Sequence, residues 1–224
     1  MTNNQVISLS FDSQISIVPT ADGSKTIYSA QFGEHYHSTF GAASESRHVF
    51  IETGYLATSV DPVSVLEIGF GTGLNAWLTL QLAGNLHRTT YYEAIELFPI
   101  DEITACEITY NPIFRSLHTV HWEQPVVISP NFVLHKRKSD LLQTTFIHKF
   151  DVVYFDAFSP AVQPEMWSRD IFASLFAAMN PGAVLTSYCA KGDVRRTLQS
   201  VGFIVERLSG PAGKREILRA RKTE

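Results

Sequence analysis

At 224 residues the chain holds one full α/β domain with a substantial core and has room for a small appendage. Its 45% apolar and 18% charged residues exclude a disordered chain, and a formal charge of −4 excludes a protein that coats nucleic acid by charge alone, while leaving room for a local basic patch. That charge is uneven: from Lys191 onward nine basic residues meet four acids, a net +5, so the preceding 190 residues sum to −9, which suits either an enzyme with one basic edge for an anionic substrate or a solvated helix and tail.

The Met1-Thr-Asn-Asn start lacks the basic-then-apolar build of a signal peptide, and no apolar run is long enough to span a bilayer, so a cytoplasmic protein without a membrane partner is expected. Ile15-Ser-Ile-Val18, a turn at Asp22-Gly23, and Thr26-Ile-Tyr28 read as a hairpin. Residues 40–57 read as helical, with Ala42, Val49, Phe50 and Leu56 available for a buried face. After Asp61-Pro62 a βαβ alternation begins. Val63–Ile68 is the first strand, followed by a helix that buries Leu74, Trp77, Leu78 and Leu82 and stops at Gly84-Asn85. Thr89–Ile95 is the second strand, and Pro99 opens a helix to about Tyr110, ended by Asn111-Pro112.

Phe132–His135 and the wholly apolar core of Asp151–Phe155 supply strands three and four. Helices follow near 165–179, and Asn180-Pro-Gly182 turns into a fifth strand, Ala183–Tyr188. A helix over 192–200 and two strands, Gly202–Arg207 and Glu216–Ala220, end the chain as an antiparallel hairpin. The expected fold is a doubly wound, Rossmann-like α/β sheet, mostly parallel, with that hairpin at one edge and a small N-terminal hairpin-and-helix extension. Residues 1–60 form the extension and 61–224 the main domain. Ligands belong at the carboxyl ends of strands one, two and four.

The glycine loop carries the chemistry. Glu67-Ile-Gly69-Phe70-Gly71-Thr72-Gly73-Leu-Asn75 joins a strand to a helix, and its glycines let backbone N–H groups approach a ligand closely. Its third glycine comes one residue earlier than in the dinucleotide fingerprint. The pattern resembles motif I of class I S-adenosylmethionine methyltransferases. At the end of strand two, Glu96 is preferred over Glu93 for binding ribose hydroxyls, the alternative being a helix cap. Asp140 either reaches an adenine amino group or caps a helix. At the end of strand four, Asp156-Ala-Phe158-Ser-Pro160 offers a carboxylate, a flat apolar ring and a fixed turn, and it resembles the acidic-x-x-Pro loops of enzymes that methylate exocyclic amines. Cys106 and Cys189 share no CxxC spacing and read as reduced thiols, and none of the histidines has metal-ligand spacing, so no metal is expected.

Asp22-Gly-Ser24, Tyr36-His-Ser38, Gly41-Ala42, Glu45-Ser46, His48-Val-Phe-Ile51, the glycine loop, Glu96 with Phe98-Pro99, Asp156–Pro160, Pro164-Glu-Met-Trp167 and Gly213-Lys-Arg-Glu216 run colinearly along the chain. Together they resemble the methyltransferase part of the bacterial tRNA enzymes that make 5-methylaminomethyl-2-thiouridine at the wobble position. Family members often carry glycine where this chain has Ala157, and the best-known ones also carry an oxidase domain, so the likeness is to the stand-alone form. The resemblance implies S-adenosyl-L-methionine as cofactor, tRNA as partner through its anticodon loop, and N-methylation of 5-aminomethyl(-2-thio)uridine. It places cofactor contacts at Glu67, Gly69, Phe70, Gly71, Thr72, Gly73, Asn75, Glu96, Asp140 and Asp156, and catalytic roles at Asp156, Phe158 and Pro160. Lys214, Arg215, Arg195 and Arg196 would meet phosphates, and Tyr36 and His37 the substrate, unless those two only pack the extension. The alternatives are a small-molecule amine methyltransferase, an aminopropyltransferase of the same fold, and a non-catalytic subunit.

Overall fold

The computed structural model describes residues 15–109 and 111–223, so the reading of the first residues and of Tyr110 lies outside it. β1 (Ile15–Pro19) and β2 (Lys25–Ser29) form the expected hairpin, and β3 (Glu34–His35) adds an antiparallel third strand. Two residues are too few to leave a periodic signal, so β3 was not foreseen. The helical stretch is α1 (Ala42–Ser46), a π-helical segment Arg47–Glu52 and a 3₁₀ turn Tyr55–Ala57. Ala42, Val49 and Phe50 are buried as read, but Leu56 is 50% exposed. The change to a three-residue turn rotates it off the face and buries Tyr55 instead.

β4 (Val63–Ile68), β5 (Thr90–Glu96), β7 (Phe132–Lys138), β8 (Phe150–Phe155) and β9 (Met179–Ser187) are parallel neighbours in an eight-stranded sheet. Its order is β10-β11-β9-β8-β4-β5-β7-β6, where β10 (Ile204–Ser209) and β11 (Glu216–Arg221) form the antiparallel hairpin at one edge and β6 (Pro125–Ser129) lies antiparallel to β7 at the other. Period-two alternation sends Val63, Val65, Tyr92, Ala94, Val152 and Tyr154 into one core layer. That layer is closed by α2 (Leu74–Leu86) and α4 (Pro112–Thr119). Leu66, Ile68, Val153 and Phe155 face the other layer, closed by α5 (Arg169–Ala178) and α6 (Gly192–Val201).

Several boundaries differ from expectation. α2 runs through Gly84-Asn85, because one exposed glycine costs only about 1 kcal/mol in a helix, and ends where His87 turns left-handed at φ 53°. α3 (Glu102–Ile108) begins after Asp101, whose carboxylate accepts the Thr104 N–H, and not at Pro99. Asn111-Pro112 does more than end that segment. The Asn111 side chain accepts the Ile113 and Phe114 N–H groups, and Pro112 opens α4, a helix not foreseen. Asn180-Pro-Gly182 lies inside β9, not ahead of it, because the Gly182 N–H is drawn to the Lys222 carbonyl at 2.9 Å and the strand begins at Met179.

Candidate active site

The carboxyl ends of β4, β5 and β8 meet at one place. The Gly69 N–H donates to Ile95 O at 2.9 Å and the Asp156 N–H to Ile68 O at 3.0 Å, so the glycine loop, Glu96 and Asp156 stand side by side. They open onto a cavity of about 420 Å³. Its walls are Gly69–Gly71, Ile95–Phe98, Ser139–Leu141 and Asp156–Ser159 from the large sheet, Phe32 and Glu34–Phe40 from the N-terminal region, and Tyr188, Gly213 and Lys214.

The glycines are required by close approach. A Cβ on Gly69 would stand 2.8 Å from the Asp156 carbonyl, and one on Gly71 would stand 2.9 Å from the Tyr36 ring, with φ +88° and +49° respectively. The loop is also held from behind. His118 Nε2 donates to the Thr72 carbonyl at 2.9 Å, and His37 Nε2 meets the Thr72 hydroxyl at 2.7 Å. Burial lowers both imidazoles from 6.5 to about 4, with the Lys136 cation adding to the effect on His118 and the Lys214 cation to that on His37, so both are neutral near pH 7. Gly73 packs beneath, against His118 and Phe70.

Glu96 is half-buried on the cavity wall at the carboxyl end of β5 and accepts the Gly71 N–H at 3.0 Å and the Phe98 N–H at 2.8 Å. Burial raises its pKa and these N–H donors pull it back. Asp140 caps a short 3₁₀ turn by accepting the Leu142 N–H at 2.9 Å, and it also lines the cavity. Glu93 points into the other layer and pairs with Arg137 at 3.0 Å.

Glu67 and Asn75 lie beneath the cavity lining. Asn75 Nδ2 donates to Glu67 Oε1 at 2.9 Å and to Asp156 Oδ2 at 2.8 Å, so the amide bridges two carboxylates. Burial raises both acids well above the usual carboxylate range. Asp156 itself is half-buried on the cavity wall. Phe158 also lines the wall, but one face of its ring is already covered by Phe32, with centroids 4.4 Å apart. Pro160 falls outside the lining.

Lys214 reaches into the cavity, where its ammonium pairs with Glu45 at 2.6 Å and stands 4.0 Å above the Tyr188 ring. Arg215 beside it is exposed. Arg195 and Arg196 sit on α6 away from the cavity, and Arg196 pairs with Asp193. Sequence reasoning missed Phe32, Glu34, Phe40 and Tyr188 altogether, since isolated residues in short elements carry no motif. Glu45 was within a noted motif but had no assigned role.

This lining fits a cationic nucleotide-like cofactor. Glu34, Glu45, Glu96, Asp140 and Asp156 face one cavity whose single lysine is already paired, and its volume falls in the range of ligand pockets, about 300–1,000 Å³. Comparison with known proteins agrees. Residues 128–223 match the model of an S-adenosyl-L-methionine-dependent methyltransferase family. Over that stretch the chain is similar to S-adenosyl-L-methionine-dependent methyltransferases. A bifunctional tRNA 5-methylaminomethyl-2-thiouridine biosynthesis protein of Magnetococcus marinus is 31% identical over 219 residues, which is 87% of this chain and 32% of that protein. The chain thus spans about a third of the length of the curated relatives it matches. The crystal structure of MNMC2 from Aquifex aeolicus superposes with a TM-score of 0.77 at 26% identity, over 92% of this chain and 70% of that one. Spermidine synthase from Thermotoga maritima shares the fold, with a TM-score of 0.65 at 15% identity over 93% and 69% of the two chains.

Glu67 stands behind the cavity lining and meets it through Asn75. Glu67→Gln keeps a carbonyl oxygen for the Asn75 N–H and matches a neutral buried acid in shape. It is expected to leave the S-adenosylmethionine dissociation constant within about threefold, or ~0.7 kcal/mol. Calorimetric titration checks this, and a hundredfold loss would place the Glu67 charge at the ligand.

Proposed function

We infer that the protein transfers the methyl group of S-adenosylmethionine to the primary amine of 5-aminomethyl(-2-thio)uridine at the tRNA wobble position. One observation carries the reading: a half-buried carboxylate, Asp156, stands at the carboxyl end of β8 beside the glycine loop, in a cavity of acids suited to an ammonium. The relatives named for 5-methylaminomethyl-2-thiouridine biosynthesis support the choice of acceptor.

Bound S-adenosylmethionine supplies an electrophilic methyl on a sulfonium. Gly69, Phe70 and Gly71 would seat it with Glu96 and Asp140, and Thr72 and Gly73 shape the turn behind them. An alkylamine has a pKa of about 10.4 and arrives protonated. Asp156 Oδ2 is engaged by Asn75, which leaves Oδ1 to take the amine's proton. Burial makes Asp156 a stronger base than an ordinary aspartate, which eases the transfer. It holds that proton as a neutral acid while the amine attacks, and after passing the proton to solvent its carboxylate stabilises the secondary ammonium that methylation forms. Tyr36 closes the acceptor side.

For tRNA, Lys191 and the first turn of α6 follow the carboxyl end of β9, and Arg215 precedes β11, whose residue Leu218 pairs with Ser187. These cations therefore stand at the cavity end of the sheet, where they would meet phosphates and make binding weaken with salt. The test is nucleoside mass spectrometry of tRNA bearing 5-aminomethyl groups, incubated with protein and S-adenosylmethionine. A gain of one methyl on the wobble nucleoside is expected, and unchanged nucleosides would refute the reading.

A further inference from the structure

The loop after β8 is held at four consecutive residues by side chains from separate parts of the chain. Asn75 holds the Asp156 carboxylate. The Tyr188 hydroxyl donates to the Ala157 carbonyl at 2.9 Å, and Trp167 Nε1 donates to the Phe158 carbonyl at 2.8 Å. Ser159 donates twice to Glu34, from its N–H to Oε2 at 3.1 Å and from its hydroxyl to Oε1 at 2.5 Å. The Phe158 ring is stacked on Phe32 and meets Tyr36 edge-on, with centroids 5.1 Å apart.

Glu34, Phe32 and Tyr36 lie in or beside the small N-terminal sheet, outside the doubly wound core. Glu34 is 125 residues from Ser159 and shares no pattern with it. A carboxylate that accepts from both donors of one residue fixes that residue's orientation as well as its position, and hydrogen bonds to an ionised acceptor are about twice as strong as neutral ones.

We propose that Glu34 is a positioning residue for methyl transfer: it clamps Ser159 and thereby fixes where Phe158 and Asp156 present themselves to the acceptor amine. The small sheet is thus the acceptor-side wall of the site and not merely its cover. This rests on the proposed function for its kinetic consequence, though not for its structural one. Attack on a methyl group depends on alignment, and small misplacements of the groups that set it cost up to about a hundredfold in rate.

Glu34→Ala, Glu34→Gln, Ser159→Ala and the double variant Glu34→Ala/Ser159→Ala test this in the full chain. Glu34→Ala is expected to lower kcat about 10–100-fold with the S-adenosylmethionine dissociation constant changed by no more than about threefold. Glu34→Gln, which keeps one accepting oxygen, recovers most of that loss. The double variant is no worse than the worse single variant, because the two residues act as a unit. Independently of any acceptor, the indole N–H resonance of Trp167, one of three tryptophans, shifts in Glu34→Ala as it does in Ser159→Ala. If Glu34→Ala fails to fold, Ser159→Ala against wild type carries the same readouts. Additive losses, an unmoved Trp167 resonance, or cofactor affinity falling as far as kcat would each overturn the proposal. A Trp167 shift with no methylation of tRNA would uphold the clamp and refute the assigned substrate.

Discussion

Asp156→Ala lowers turnover about 10²–10⁴-fold, the span that general acid–base catalysis contributes, while the S-adenosylmethionine dissociation constant moves by less than about tenfold, or ~1.4 kcal/mol. The asymmetry follows from where the residue stands. Glu96, Asp140 and the glycine loop remain to hold the cofactor when Asp156 is removed. Nothing else at the end of β8 can take the proton of the arriving ammonium. Asp156→Asn sharpens the test. It preserves shape and a carbonyl oxygen for Asn75, so a role in alignment alone would leave it active, whereas a role in proton transfer makes it nearly as slow as alanine. The pH profile adds a third reading. Burial places the Asp156 pKa well above the ordinary carboxylate range, so the wild-type rate rises with pH through that value and the rise vanishes in Asp156→Asn. Loss of cofactor binding with unchanged turnover at saturation would make Asp156 a binding residue only.

The legible parts of this site are those that one strand and its following turn can encode. Val63–Ile68 followed by three glycines, and the buried run ending at Asp156, place the glycine loop and the Asp156 carboxylate on one cavity without any long-range information. Glu96 was likewise preferred for its place at the carboxyl end of its strand, and there it lines the cavity. What could not be read depends on tertiary approach. The ion pair of Lys214 with Glu45 draws into the cavity a lysine that sequence reasoning assigned to phosphate. The ring of Phe158, read as an open platform, is half covered by Phe32 from a segment without periodicity. Glu67 carries the motif's acid, yet strand alternation turns it toward α2, where Asn75 meets it. In the first two cases the partner that decides the residue's role is far away in sequence, whereas Asn75 lies only eight residues from Glu67 and is brought to it by the strand–turn–helix geometry.

The two histidines behind the glycine loop carry a cost that pH exposes. An unfolded histidine titrates near 6.5, whereas His118 in the fold titrates near 4. Between these values the unfolded chain binds more protons than the folded one, so this contribution to stability falls as pH falls from about 6.5 to 4 and is constant outside that window. For one such group the loss between pH 7.5 and 5 is about 2 kcal/mol. The raised carboxyl groups of Glu67, Glu96 and Asp156 act in the opposite sense. Bound protons favour the fold there, so the stability of the whole protein against pH mixes both trends. A difference measurement separates them. His118→Gln keeps an N–H for the Thr72 carbonyl and cannot titrate. Urea unfolding of both proteins without cofactor should show wild-type stability, relative to the glutamine variant, dropping by about 2 kcal/mol from pH 7.5 to 5. A pH-independent difference would mean that His118 is already solvated or charged in the fold.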